Sequence, residues 1–388
     1  MGDRAEWDRR RAVERFMEGE TPTAICTSLG YSTRWFYKWL SRFRTGDAAW
    51  FQEVSRRPQR SPQRTQLEVE HAVGVVRRSL YEEGRFYGAQ AIRWEMEELG
   101  IDPLPSLRTI NRILSRADLT QRRTGPYKPK GKKYPRLTAH RPGDAHQADF
   151  VGPLYLRGGL RYYGLNSVDL ATGRCATEPI LSKSAQTTVD AFWASWIRLG
   201  MPLHQQVDNE MSFYGSPRHP RGMGPLIRLS LMFGIEVWFI PMGEPWRNGV
   251  VEKFNHHWED RFLRRMEIAS ETDLRTQSLA FEERHNGRYR YSKLGGKTPL
   301  EALRASRHEL RFPPEYRAPR HPLPKPETGR YHLIRFVRSE GQLNVFGEMF
   351  PAPPEALYEY VRLTIDVDDK RLHVFLDGKQ IDEHRYDL

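Results

Sequence analysis

Cysteine is nearly absent: Cys26 and Cys175 are the only two in 388 residues. Two thiols so far apart exclude a disulfide framework and a Cys-rich zinc module, and a reducing, intracellular setting is expected. Long apolar runs are missing too. No stretch approaches the roughly 18 apolar residues of a membrane span, and the opening MGDRAEWDRRRAVERF has no signal-peptide core. A soluble, cytoplasmic chain is the expectation. Acid is in short supply, with 49 Asp and Glu against 61 Lys and Arg, a net charge of +12. Such an excess favours a polyanionic partner through counterion release, nucleic acid first. The length exceeds one ordinary core and suits several modules.

What is present begins with helix punctuation. Between Trp7 and Phe43 the pattern predicts three short helices, the first placing Trp7, Val13, Phe16 and Met17 on one face. Thr21 before Pro22 starts the second, Gly30 turns the chain, and Ser32 caps the third. That third helix should bury Phe36, Leu40 and Phe43 while Thr33, Arg34, Tyr37 and Lys38 project, the grammar of a helix-turn-helix whose second helix enters the major groove. The pattern recurs after SRRPQRSPQRTQ: a helix over 66–83, a second ending at Gly100, and a third capped by Ser106. Here Leu107, Ile110, Ile113 and Leu114 face inward and Arg108, Thr109 and Arg112 outward. Two units, 1–60 and 61–120, would lengthen a DNA footprint.

From Thr120 to Gly143 there are eight Lys or Arg and no acid. The run, with Lys128, Lys130, Lys132 and Lys133, predicts a basic linker over 121–143 that tracks phosphates. Beyond it the period changes. HQADFVGPLYL, RYYGLNSVDLA and RCATEPILS read as a three-stranded meander, followed by a helix, the strand HQQVDNE, a helix, the strand EVWFIP and a long helix from about Val250. This order predicts a mixed five-stranded α/β domain over 144–310, the element order of ribonuclease H. After a Pro-rich stretch, four further strand signals over 325–388 predict a small C-terminal β-barrel.

Carboxylates fall at revealing places. Asp149 lies within the first strand, where a buried charge is costly unless paired or bound to metal. Asp208 ends a strand, and Glu252 follows Asn248-Gly249 on a predicted helix. Carboxylates from separate elements with no thiolate suit two hard divalent ions flanking a scissile phosphodiester. Asp169, in SVDLATG, reads as a turn residue instead.

Three phrases in order, HQADFVGP, VDNEMSF and PMGEPWRNGVVEKFN, resemble the integrase core of bacterial insertion-sequence transposases and retroviral integrases. The resemblance implies a DDE transposase that nicks and joins DNA with Mg²⁺ or Mn²⁺, two ions per site, held by Asp149, Asp208 and Glu252. It also implies double-stranded DNA as partner (element ends and target), a homo-oligomer on DNA, and a bacterial, nucleoid-associated setting. Two features depart from the family pattern. Glu210 stands where the family has glycine, so the loop conformation would differ. The family interval of about 35 residues after the second aspartate lands on Glu244 rather than Glu252. Glu244, between Gly243 and Pro245, reads as a flexible surface residue, and the N-G-x-x-E context favours Glu252. Asn255, His256 and Glu259 share the Glu252 face. Arg247, Lys253 and His256 are expected on DNA, with Trp246 against a splayed base. The competing reading is an inactive core serving as a helix-turn-helix regulator or accessory factor; a nuclease without strand transfer ranks third, because it leaves the helical array unexplained.

Overall fold

A computed structural model describes residues 2–53, 65–120, 134–219 and 221–388. Lys128, Lys130, Lys132 and Lys133, with most of the expected basic linker, lie outside the described residues. The chain divides into two compact units, Met1–Thr65 and Gln66–Leu388.

The first unit contains α1 (Gly2–Met17), α2 (Pro22–Leu29) and α3 (Thr33–Phe43). Its caps are those the sequence announces: the Thr21 hydroxyl accepts from Ala24 N, the Ser32 hydroxyl from Trp35 N, and Gly30 takes the left-handed conformation at φ 75°. The core is Ala12, Val13, Ile25, Cys26, Phe36 and Leu40. Three expectations fail on facing. Trp7 and Met17 are exposed, and Phe43 leaves its place inside to Trp39, over which Arg9 lies at 4.1 Å.

The second unit opens with α4 (Leu67–Glu82), α5 (Ala89–Glu98) and α6 (Leu107–Arg116) around Val73, Leu80, Ile92, Met96 and Ile110. Leu107, expected inside, is exposed. These helices dock on the α/β domain. Carbonyls at the end of α4 and in the turn after it accept from the α/β domain: Arg265 donates to Tyr81 O, which also accepts from Gly84 N, Arg284 to Glu83 O at 3.1 Å, Tyr289 Oη to Gly84 O, and Arg261 to Arg85 O. Cations at a helix C-terminus also satisfy its dipole.

The α/β domain follows the expected order: β1 (Ala145–Tyr155), β2 (Arg161–Asp169), β3 (Cys175–Ile180), α7 (Ala185–Leu199), β4 (His204–Val207), α8 (Met211–Tyr214), α9 (Pro225–Met232), β5 (Glu236–Phe239), α10 (Gly249–Trp258), α11 (Glu271–Arg288) and α12 (Pro299–Ser306). The meander is antiparallel; β4 runs parallel to β1, and β5 parallel to β4. α10 approaches β2 closely because position 164 is glycine: a Cβ there would come within 2.7 Å of the Trp258 ring.

The C-terminal strands correct the sequence reading. β6 (Arg330–Phe336) pairs parallel with β5, and β9 (Tyr360–Asp366), β10 (Arg371–Leu376) and β11 (Lys379–Arg385) follow antiparallel. The result is one open nine-stranded sheet, β11-β10-β9-β6-β5-β4-β1-β2-β3, in place of a five-stranded sheet and a separate barrel. β7 (Gln342–Val345) and β8 (Glu348–Pro351) pair apart from it. The physical reason is the β5 edge. Its unpaired backbone is satisfied by β6, and Glu236 Oε2 lies 3.0 Å from His332 Nε2 across the join.

Candidate active site

The parallel register aligns the two aspartates. Gln147 on β1 pairs with Gln206 on β4, so Asp149 and Asp208, each two residues further on, lie level with one another on the same face. That face is the one α10 crosses. Gln147 Oε1 accepts from Val250 N at 3.0 Å and Val251 N at 3.1 Å, capping α10 in place of a local side chain. Gln206 Nε2 donates to Arg247 O at 3.2 Å and Asn248 Oδ1 at 3.3 Å, and Asn248 Nδ2 to Ala148 O at 3.0 Å. Three buried amides therefore fasten the start of α10 across the two strands. Further along, Asn255 Nδ2 donates to Asp149 Oδ2 at 2.8 Å while its Oδ1 accepts from Asn166 on β2 at 2.8 Å. Glu252, three residues before Asn255, shares its helical face.

The electrostatics register this proximity. Burial, then the Asp208 charge, and further the Glu252 and Glu210 charges push the Asp149 carboxyl up to about 7. Asp208 is raised by burial and Glu210, and Glu252 by burial. Lys183 is already committed to Glu210, at 2.7 and 2.8 Å. Four carboxylates with one engaged cation are a donor set that fits divalent metal, all hard oxygen. Asp149, Asp208 and Glu252 do not form a trio with donors all within 4.8 Å of one another; among the described residues only Asp366, Asp369 and His373 do. Two ions stand about 3.5–4 Å apart in two-metal sites, so ligands shared between them need not converge that tightly. Asp366 is otherwise occupied, by Arg330 at 2.6 Å and the amides of Asp368 and Asp369.

Several expectations change here. Glu210 at φ −76° is extended backbone opening α8, so the loop needs no glycine. Glu244 is not a flexible surface residue: Tyr360 Oη donates to it at 2.6 Å and Arg247 Nε at 2.9 Å. Arg247 lies over Tyr134 at 4.2 Å and Tyr360 at 5.1 Å, engaged inside the protein rather than free for a phosphate. Lys253, His256 and Trp246 are exposed, His256 beside Asp260 at 3.0 Å. Thr33, Arg34, Tyr37 and Lys38 project from α3, Lys38 near Glu53 at 3.8 Å, while Arg108 and Arg112 project from α6 and Thr109 is half-buried against Ser106. Asp169 ends β2 and caps the turn that follows, accepting from Thr172 N and Oγ1.

Sequence reasoning missed the positioning amides, yet a signal was there: HQAD and QQVD repeat the phrase Gln-x-Asp on neighbouring strands. It also missed Arg335 on β6, buried with no carboxylate partner among the described residues, whose Nη2 donates to Asn209 Oδ1 at 3.1 Å. The residue next to Asp208 is thus held from a C-terminal strand, and no local pattern announces that.

Residues 3–51 match a homeodomain-like domain, and residues 233–299, which include Glu252, match an integrase core domain. Similar solved structures include the HTLV-2 integrase catalytic core domain in complex with magnesium, 18% identical over 42% of this chain and 97% of that one, TM-score 0.33. The BIV integrase catalytic core domain is 18% identical over 42% and 95%, TM-score 0.33. The simian T-cell lymphotropic virus intasome in complex with PP2A regulatory subunit B56 gamma is 15% identical over 67% and 81%, TM-score 0.37.

Proposed function

We propose that this chain, a protein with an integrase core preceded by a homeodomain-like unit, is a DDE transposase that nicks the 3′ ends of a mobile element and joins them to target DNA. The observation that carries the reading is the levelling of Asp149 with Asp208 on adjacent parallel strands, under a helix that brings Glu252 to the same face. When bound, Mg²⁺ or Mn²⁺ activates the attacking hydroxyl and stabilises the departing oxygen. Asp149, Asp208 and Glu252 would hold the two ions. Asn255 would fix one Asp149 oxygen by hydrogen bond and leave the other for metal. Gln147, Gln206 and Asn248 would keep α10, and hence Glu252, in place through the reaction.

DNA would be gripped by the exposed α3 face for end recognition, by Arg108 and Arg112, and beside the site by Lys253 and His256. The expected linker residues Lys128, Lys130, Lys132 and Lys133 would add sequence-independent phosphate contacts. A dimer or tetramer on DNA follows from the need to join two ends in one event.

The test is cleavage of DNA carrying the element's ends at saturating Mg²⁺. Asp149→Asn, Asp208→Asn and Glu252→Gln should each lower nicking and joining by about a thousandfold or more, with end binding retained. Intact protein that never nicks any substrate, yet binds the ends, would make the chain a helix-turn-helix regulator instead.

A further inference from the structure

A groove of about 1100 Å³ opens between the second helical unit and α10, on the side of that helix carrying Lys253 and His257 rather than Glu252. Its cations come from three places: Arg77 on α4, Lys253 and Arg261 on and just after α10, and Arg290 and Lys293 beyond α11. None of the described residues lining it is Asp or Glu. Its walls include the rings of Tyr87, Trp94 and Tyr291.

Arg290 pairs with Glu98 at 3.1 Å and Arg261 with backbone carbonyls, but Arg77, Lys253 and Lys293 have no carboxylate partner among the described residues. Arg77 Nη2 reaches Leu119 O at 3.1 Å, but its Nε and Nη1 are buried without an acceptor, as is His257 Nε2. Arg77 lies over the Tyr87 ring at 4.1 Å, and Lys253 and Lys293 stand exposed along the same acid-free lining, so the groove suits something that brings negative oxygen. Burial, and then the neighbouring Arg261 and Lys253 charges, also push the His257 imidazole down to about 3, so the site has no room for another positive charge. Aromatic walls add a second requirement. A duplex turns its bases inward and offers them nothing to stack on, whereas an unpaired strand presents phosphates and ring faces together.

We infer that this groove receives an unpaired DNA strand, its phosphates against Arg77, Lys253 and Lys293 and its bases against Trp94 and Tyr291. The reason such a strand would be present rests on the transposase reading, since cutting and joining at a DNA end separates strands beside Glu252. The binding itself does not.

The full chain is titrated with a labelled duplex bearing a ten-nucleotide thymidine tail and with the same duplex blunt, reading fluorescence anisotropy. The tailed form should bind about tenfold more tightly, a modest fraction of what stacked bases can contribute. Lys293→Glu, at an exposed position outside the proposed catalytic set, should abolish the preference and leave blunt-duplex binding within about twofold. A tail carrying 5-iodouracil should photo-cross-link to Tyr87, Trp94 or Tyr291. Equal affinity for the two duplexes, cross-links confined to other segments, or tighter binding of an RNA tail would each overturn the assignment. No preference in the unaltered chain, with its metal-dependent nicking intact, would refute the groove alone; groove cross-links in a protein that never nicks would refute the transposase reading alone.

Discussion

In the first helical unit Ser32 caps a helix that turns Arg34 and Tyr37 outward; in the second, Ser106 caps a helix that does the same with Arg108 and Arg112. The grammar is shared, but the commitments differ. The first closes on its own core of Ala12, Val13, Ile25 and Phe36 and forms a compact unit by itself. The second belongs to the same unit as the α/β domain, which satisfies the carbonyls at the end of α4 and presses Trp94 onto Gly296, where a Cβ would come within 3.0 Å of the ring. Similar local sequence can therefore close on a core of its own or become a wall of the α/β domain. The partner surface decides which.

Deletion separates the two most sharply. Removing residues 66–120 should lower the Tm of the remaining core by more than about 10 °C, because the Tyr289, Arg261 and Arg265 contacts are stripped together. Removing residues 1–65 should leave the core Tm within about 2 °C. Equal losses in calorimetry would erase the distinction.

Protons provide the next contrast. The Asp149 carboxyl, raised from an ordinary 3.8 to about 7, is favoured in its protonated form by the folded state. Its stabilising contribution is fully present below 3.8 and lost as pH rises through about 7. Metal-free protein should thus lose on the order of a few kcal/mol in the second unit's transition between pH 4 and 8, a loss clearly smaller in Asp149→Asn, which keeps only the Asp208 and Glu252 contributions. Urea melts across that range check it; an identical pH profile for wild type and variant would sink the idea.

Recognition should sort the units next. Arg34→Ala is expected to cost about 1–3 kcal/mol on the element's ends and far less on random DNA, as for a side chain reaching a base edge. Arg108→Ala should cost less, since its helix is fixed to the core. Anisotropy titrations at one salt concentration compare them, and a larger specific loss for Arg108→Ala would reverse the assignment of the reader.

The smallest effect is a hydroxyl. Tyr289→Phe removes the donor to Gly84 O, and Tyr31→Phe removes the one 2.9 Å from Asp8. Each should cost about 0.5–1.5 kcal/mol, the first in the transition of the second unit and the second in that of the first. Parallel shifts in a single transition would show that the two units melt as one.

Much of this was legible early because it is local. Thr21, Ser32 and Ser106 cap the helices they announce, since a hydroxyl three residues before a free amide needs no distant partner. Asp149 was legible because a carboxylate in an alternating strand has few ordinary explanations. Glu244 and Arg247 were misread for the opposite reason: Gly243 and Pro245 predict a free loop, but Tyr360, more than a hundred residues later, holds both.

By itself, then, the sequence determined the helix caps, the strand and helix order of the α/β domain, and the carboxylates at its strand ends, all set by patterns spanning a few residues. Tertiary structure alone decided that the last strands extend the sheet instead of closing a barrel, and that Arg335 supports the Asp208 loop. It also decided that one helical unit belongs to the same compact unit as the α/β domain while the other closes on a core of its own. These depend on which unpaired edge or uncapped carbonyl meets which distant donor, and a chain declares its unsatisfied groups locally without naming the partner that will satisfy them.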